Sequence, residues 1–265
     1  MKTVTIAGPC RPPCQVQTDC GLLLRSLRLQ FGKYLLEGGC STGLRIGAVK
    51  DGPLYRVSFN GEEKKTARPM LEIDDILFAH ARYDESVFAA HGAALEWKGG
   101  AYAFLAATAG GKTTLAAYLI SRGFGYITDD CVLIERESRR VVPYCLPVHL
   151  RQGGLEVLRS RGLLGQELPY MEESGGRRYA YMPVNCAEAP LPLKKVFFIA
   201  RTEDENSLLP MEANDKIAAL MKSPVMEYAV TGGYVRFLSR LARETECLRL
   251  RYKDMEFAAE VIENG

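Results

Sequence analysis

The residues best suited to chemistry lie in one short run, Ala106-Ala107-Thr108-Ala109-Gly110-Gly111-Lys112-Thr113, followed by Thr114. Phosphate-binding loops follow the spacing G-x-x-x-x-G-K-S/T, and this run satisfies it except that Ala106 stands in place of the first glycine. Small residues at these positions let backbone N–H groups curl around phosphate oxygens, and a helix that starts here points its positive end at them. On that reading Ala107, Thr108, Ala109, Gly110, Gly111 and Thr114 line the cradle. Lys112 reaches the β- and γ-phosphates of ATP, and the Thr113 hydroxyl holds Mg²⁺. The plain alternative is a glycine turn with a solvated lysine. Context separates the two, because the run follows an apolar strand and opens a helix.

A second feature, Asp129-Asp130, falls seventeen and eighteen residues after Lys112. The pair is expected on the strand that follows the loop's helix, where successive side chains point to opposite faces and must divide their labour. One aspartate could face the γ-phosphate and an incoming hydroxyl while the other orients metal or structure. Without the glycine loop, capping or surface aspartates would be the simpler reading.

These groups need elements to position them. Ala93 to Trp97 reads as a strand, Gly99-Gly100 as a turn and Tyr102 to Ala106 as a second, fully apolar strand. A helix is expected from Lys112 to Ser121, closed by Arg122-Gly123, and then a strand from Tyr126 to Ile134. Strand, loop, helix, strand is the βαβ order of a nucleotide-binding α/β domain. Upstream, Val4 to Ala7 suggests a strand, and Leu24, Leu27, Phe31 and Leu35 recur at helical spacing. Leu44 to Val49 and Leu54 to Phe59 read as strands, and Asn60-Gly61 as a turn into an exposed polar stretch, Glu62 to Thr66. A helical stretch from about Glu72 is expected to lead to His91-Gly92. Downstream, Leu155 to Leu158 starts a short helix and Val196 to Ala200 is a core strand. Glu172 to Arg178 is a candidate mobile loop. The last fifty residues are largely helical, broken near Thr231-Gly232-Gly233, with a late strand at Arg249 to Tyr252.

Composition bounds the rest. The 265 residues carry 34 Lys and Arg against 32 Asp and Glu, and a net charge of +2 argues against a dedicated duplex-binding protein. The late arginines Arg236, Arg240, Arg243, Arg249 and Arg251 are interleaved with Glu244, Glu246, Asp254 and Glu256, the pattern of a solvated face. Forty-seven per cent hydrophobic residues exclude disorder, and no apolar run approaches the ~20 residues of a spanning helix. The expectation is a cytoplasmic protein with no nucleic-acid or membrane partner. Cys10, Cys14, Cys20 and Cys40 lack C-x-x-C or His spacing for zinc, and Cys131, Cys145, Cys186 and Cys247 read as buried reduced thiols. The lone Trp97 reads as core.

Taken together, His91-Gly92, the glycine loop, Arg122-Gly123 and Asp129-Asp130-Cys131-Val132 resemble the HPr serine kinase family, whose P-loop fold is shared with ATP-dependent phosphoenolpyruvate carboxykinase. The order and spacing are similar over about forty residues, His91 to Val132. Val142-Pro143-Tyr144 and Leu248 to Tyr252 are similar to segments of the short HPr-kinase-like proteins, among them tailoring kinases for lasso-type peptides. The resemblance implies an α/β P-loop kinase core of the HPr kinase/phosphoenolpyruvate carboxykinase type, preceded by a small N-terminal α+β region. The boundary is placed at 1–84 and 85–265. It implies ATP and Mg²⁺, Asp129 as the base that takes the acceptor proton, and Asp130 with Thr113 at the metal. His91 matches the family's histidine before the loop; it either supports the site or is a structural histidine on a buried strand. The family carries a further metal-binding glutamate where this chain reads Pro147-Val148-His149-Leu150-Arg151-Gln152-Gly153-Gly154, so phosphorylase activity is not expected. Arg151 either contacts phosphates or is a surface arginine.

The leading expectation is thus a serine kinase acting on a protein or ribosomal peptide, and the resemblance is compatible with a homo-oligomer. Two rivals stand beside it: a kinase for a small-molecule hydroxyl, and a non-catalytic nucleotide-binding regulatory module.

Overall fold

A computed structural model describes residues 1–8, 13–38, 43–80, 86–106, 110–164, 167–173, 177–182, 184–225 and 229–265. The chain is mixed α/β and divides into two units. The first comprises Met1–Arg82 with two later excursions, His149–Gln152 and Glu167–Met182, which no single linear boundary expresses; the second holds the remainder.

The first unit begins with β1 (Lys2–Ile6), β2 (Cys14–Thr18) and helix α1 (Gly21–Phe31), which passes through a short 3-10 turn into β3 (Leu35–Leu36). The apolar residues of α1 fall on one face: Leu23, Leu24, Leu27 and Phe31 are buried while Leu22 is exposed. β4 (Leu44–Asp51), β5 (Leu54–Phe59), β6 (Glu62–Thr66) and α2 (Pro69–His80) follow. The six strands form one sheet in the order β3-β1-β2-β4-β5-β6, with β2 and β4 parallel across the α1 connection. Asn60 and Gly61 both adopt positive φ, as a two-residue hairpin turn requires. The Glu62 to Thr66 stretch, expected only as an exposed segment, is the edge strand β6. Its lysines and glutamates charge the edge, which resists further strand addition, and Lys64 and Lys65 also form ion pairs with Glu72 and Asp51 at 2.6 and 2.9 Å. Between α1 and α2, the Gln30 amide donates to both Asp74 carboxylate oxygens at 2.9 Å.

In chain order the second stretch supplies β7 (Val87–Ala90), β8 (Gly92–Trp97), β9 (Gly100–Leu105), α3 (Lys112–Ser121), β10 (Gly125–Thr128), β11 (Val132–Glu135) and β12 (Arg140–Val142). β13 (Val148–Arg151), α4 (Gln152–Ser160), β14 (Tyr170–Glu173) and β15 (Arg177–Met182) come next. The chain then forms β16 (Leu191–Arg201), β17 (Ser207–Pro210), α5 (Ala213–Met221), α6 (Gly232–Glu244), β18 (Glu246–Tyr252) and α7 (Met255–Asn264). β13, β15 and β14 make a small sheet whose residues belong largely to the first unit. The stretch expected as a mobile loop, Glu172 to Arg178, is instead the β14–β15 hairpin, with Gly175 and Gly176 outside the described residues.

The large sheet of the second unit runs β10-β8-β9-β16-β12-β11-β7, and β18 with β17 extends it from the far half of β16. β9 and β16 are parallel, as are β16 and β18. Every residue of β9 is buried, the burial expected of a strand covered on both faces. Alternation divides those faces. Ala101, Ala103 and Leu105 join one core cluster with Tyr234, Phe237, Leu238 and Leu241 of α6. Tyr102 and Phe104 instead contact Phe197 through ring centroids 6.1 and 5.5 Å apart. Alanines at Ala94, Ala101 and Ala103 keep the first face shallow, so the bulk there comes from α6.

Three expected elements differ. The helical stretch from Glu72 to His91 ends at His80, and Val87–Ala90 is a strand paired with β11. Four consecutive apolar residues suit a buried strand as well as a helix, and the partner strand decides. The single strand expected over Tyr126 to Ile134 is two strands, separated by a bend at Asp129-Asp130-Cys131. Near residue 231 the break is a helix start: the Thr231 hydroxyl accepts from the Tyr234 amide at 3.2 Å and caps α6. A fourth correction concerns cysteine. Cys145 and Cys186 form a disulfide rather than two thiols, whereas Cys20 and Cys247 are free thiols. Trp97, expected in the core, is half-buried and stacks on Phe124 at 4.1 Å. Among the described residues no helix is long and apolar enough to cross a membrane.

Candidate active site

The site lies within the second unit, where β9 runs out into the glycine loop. Ala107, Thr108 and Ala109 lie outside the described residues, so their expected phosphate contacts have no structural counterpart here. Gly110 and Gly111 are described, and Gly111 carries φ +85°, the left-handed turn that starts α3. A Cβ at Gly111 would stand 2.8 Å from the Tyr252 hydroxyl at the end of β18. Glycine is therefore required twice, by backbone and by space. Gly111→Ala is expected to destabilise the second unit by about 1–3 kcal/mol. Thermal unfolding checks this, and Tyr252→Phe in the same background should return part of the loss by removing the clashing oxygen.

Lys112 is the first residue of α3 and is 5% exposed, so the solvated-lysine alternative fails. Its ammonium donates to the Ala106 carbonyl at 3.1 Å and to His91 Nε2 at 3.1 Å. His91 Nδ1 lies 3.2 Å from the Asp130 carbonyl. Both contacts are satisfied by one form only, the neutral ring with its proton on Nδ1, donating to Asp130 and accepting from Lys112. Burial, and then the Lys112 charge, hold the His91 pKa below its ordinary value. The backbone amide of His91 donates to the Ser223 carbonyl at 2.6 Å. His91 is thus a tether between the lysine and the aspartate bend.

That bend differs from the expected strand position of the pair. β10 ends at Thr128, whose hydroxyl donates to the Cys131 carbonyl at 2.8 Å and folds the chain back. Asp130 takes φ +69°, a left-handed conformation that aspartate tolerates better than most residues. The two side chains do differ in exposure, with a turn as the cause rather than strand alternation: Asp129 is buried at 6% exposure and Asp130 is exposed. Among the described residues, neither Asp129 carboxylate oxygen has a hydrogen-bond partner. Burial and the neighbouring Asp130 charge push the Asp129 pKa up to about 7; Thr113 and Lys112 oppose the rise. Thr113 stands close enough to favour the anion without completing a hydrogen bond in the geometry present.

An orphaned buried carboxylate is costly unless something completes it. A bound acceptor hydroxyl donating to it would do so, and beside it the exposed Asp130 and the Thr113 hydroxyl are hard oxygens of the kind that suit Mg²⁺ bound partly by phosphate. Among the described residues no group of three His, Cys, Asp or Glu side chains could hold a metal without such help. The N–H groups of the first turn of α3, at Lys112, Thr113 and Thr114, have no partner within the helix and point out of its start.

The remaining expected residue, Arg151, lies exposed at the end of β13 and belongs to the first unit. Sequence reasoning missed Tyr252, Ser223 and Thr128 as site residues. Tyr252 sits in a strand recognisable by its alternation, but only the close approach to Gly111 reveals its place. No family model matches this chain, and no curated protein matches it either.

Proposed function

We propose that the protein is an ATP- and Mg²⁺-dependent phosphotransferase, with a P-loop kinase core of the HPr kinase/phosphoenolpyruvate carboxykinase type, that transfers the γ-phosphate to a serine hydroxyl of a protein or peptide. The observation that carries the reading is the Asp129 carboxylate, buried, unpartnered and held near neutrality beside Lys112 and Thr113. A base with a pKa close to the working pH is the type that takes a proton from a hydroxyl efficiently.

Each residue has a part to play. Lys112 and the N-terminal amides of α3 bind and orient the triphosphate, with Lys112 held in place by His91 and Ala106. Thr113 and Asp130, with Asp129 beside them, would hold Mg²⁺, which supplies charge neutralisation on the phosphates. Asp129 accepts the acceptor proton as its oxygen bonds to the γ-phosphorus and ADP departs. His91 moves no proton in this scheme; it keeps the lysine and the bend in register. The hydroxyl requirement comes from the site, and the assignment to serine comes from the family resemblance.

Incubation with γ-labelled ATP, Mg²⁺ and an array of serine peptides, each paired with its alanine version, tests the reading. Label should enter the serine versions only, and both Lys112→Ala and Asp129→Ala should remove it. Equal labelling by wild type and both variants overturns the proposal.

A further inference from the structure

The Cys145–Cys186 disulfide sits where the chain leaves and re-enters the second unit. One stretch of that unit ends at Val148 and another begins at Pro183, three residues from each cysteine, with Gly153–Gln166 of the same unit between them. Both cysteine segments also lie against the outer edge of β10, the strand that ends at the Asp129 bend. Tyr144 donates its amide to the Ile127 carbonyl at 3.0 Å, and Ala187 donates to the Tyr126 carbonyl at 2.8 Å. Isolated bridges pair Thr128 with Tyr144 and Tyr126 with Cys186. The Tyr126 hydroxyl adds a bond to the Leu146 carbonyl at 2.8 Å. Among the described residues β10 has only β8 as a full strand neighbour, and its register there shifts between Tyr126 and Thr128. Two short segments, joined to each other by the disulfide, therefore complete the edge from which Asp129 projects.

We propose that Cys145 and Cys186 form a thiol–disulfide exchange site that controls the phosphotransferase centre, the disulfide holding Asp129 in its working position and reduction releasing it. This control rests on the phosphotransferase reading, whereas the mechanical clamp on β10 does not.

The chemistry has a direction. Cys145 is buried at 7% exposure and Cys186 is half-buried, so an external thiolate reaches the Cys186 sulfur first. A bond forms between that sulfur and the incoming one, the Cys145–Cys186 bond breaks, and its electron pair leaves on Cys145, which takes up a proton. A second equivalent of thiol frees Cys186, so two small-molecule thiols become one disulfide and the protein gains two protons and two electrons. The reverse uses a small-molecule disulfide as oxidant. The released Cys145 thiol finds acceptors in place, with its sulfur 4.0 Å from the Ile127 carbonyl oxygen and 3.9 Å from that of Ala187.

The test compares full-length protein treated with dithiothreitol and with glutathione disulfide, with alkylation and peptide mass spectrometry reporting the state of each cysteine. Hydrogen exchange of the peptide spanning Gly125 to Cys131 reads the clamp, and label transfer from ATP reads the site. Reduction should speed exchange in that peptide and lower transfer by about tenfold or more, and reoxidation should restore both. Cys186→Ser should stay in the low state whatever the treatment. Unchanged exchange after complete reduction overturns the clamp. Faster exchange with unchanged transfer overturns the control. Absence of transfer in both states overturns the phosphotransferase reading alone, and the exchange result then sustains or overturns the clamp by itself.

Discussion

Lys112→Met should lower kcat/KM for phosphoryl transfer by about 10²–10³, because a preorganised cationic donor to the transferring phosphate is worth that much where water is excluded. Methionine keeps the buried stem, so the loss reports the charge rather than a cavity. The structure adds a second component. The lysine ammonium is bound by the Ala106 carbonyl and by His91, which in turn holds the Asp130 carbonyl. Losing it unpairs two polar groups and frees the bend that presents Asp129. Steady-state kinetics should therefore show a fall in kcat as well as a rise in KM for ATP, whereas a lysine that only bound nucleotide would move KM alone. An unchanged kcat at saturating ATP would refute this coupling.

The second large effect belongs to Asp129→Asn, and its two readouts move in opposite directions. Removal of the base should lower kcat by about 10²–10⁴. Stability of the nucleotide-free, metal-free protein should rise. Desolvation raises the folded pKa to about 7 from an ordinary aspartate value, so between those pH values the folded state holds a proton that the unfolded chain has lost. The contribution of this group is fully favourable below the unfolded pKa and disappears as pH climbs through 7. At pH 8 the native state carries an uncompensated buried charge, at a cost on the order of a few kcal/mol, which asparagine avoids. Calorimetric scans should place the variant several degrees above wild type at pH 8 and close to it at pH 4. A variant less stable than wild type at pH 8 would show that the carboxylate is already compensated.

Much of this site is legible in the sequence because its local grammar is short-range. The helix expected from Lys112 to Ser121 has those bounds, since the glycine pair before it and Arg122-Gly123 after it are local punctuation: Gly123 takes φ +98° and its amide bonds the Ile120 carbonyl. The strand pair around Gly99 is equally local. What escaped depends on partners distant in the chain. Nothing in Val87-Phe88-Ala89-Ala90 announces a strand until β11 is beside it. The expected βαβ unit exists, yet β10 lies beyond β8 rather than next to β9, because an antiparallel strand occupies the intervening place. The bend at Asp129-Asp130 follows from side-chain bonds by Thr128 and His91, and composition does not encode either. Cysteine spacing likewise gave no sign that Cys145 and Cys186 meet, since 41 residues separate them and the chain between them passes through both units.

The indole of Trp97 has a practical consequence. It is the only tryptophan of the chain, it stacks on Phe124 just past the end of α3, and its ring nitrogen donates to the Glu263 carbonyl at 3.4 Å. Emission excited at the red edge of protein absorption thus arises from one chromophore, and that chromophore belongs to the second unit. The first unit is optically silent in the same measurement. A single spectroscopic channel consequently watches the unit that carries Lys112 and Asp129, from the opposite end of the helix that Lys112 begins.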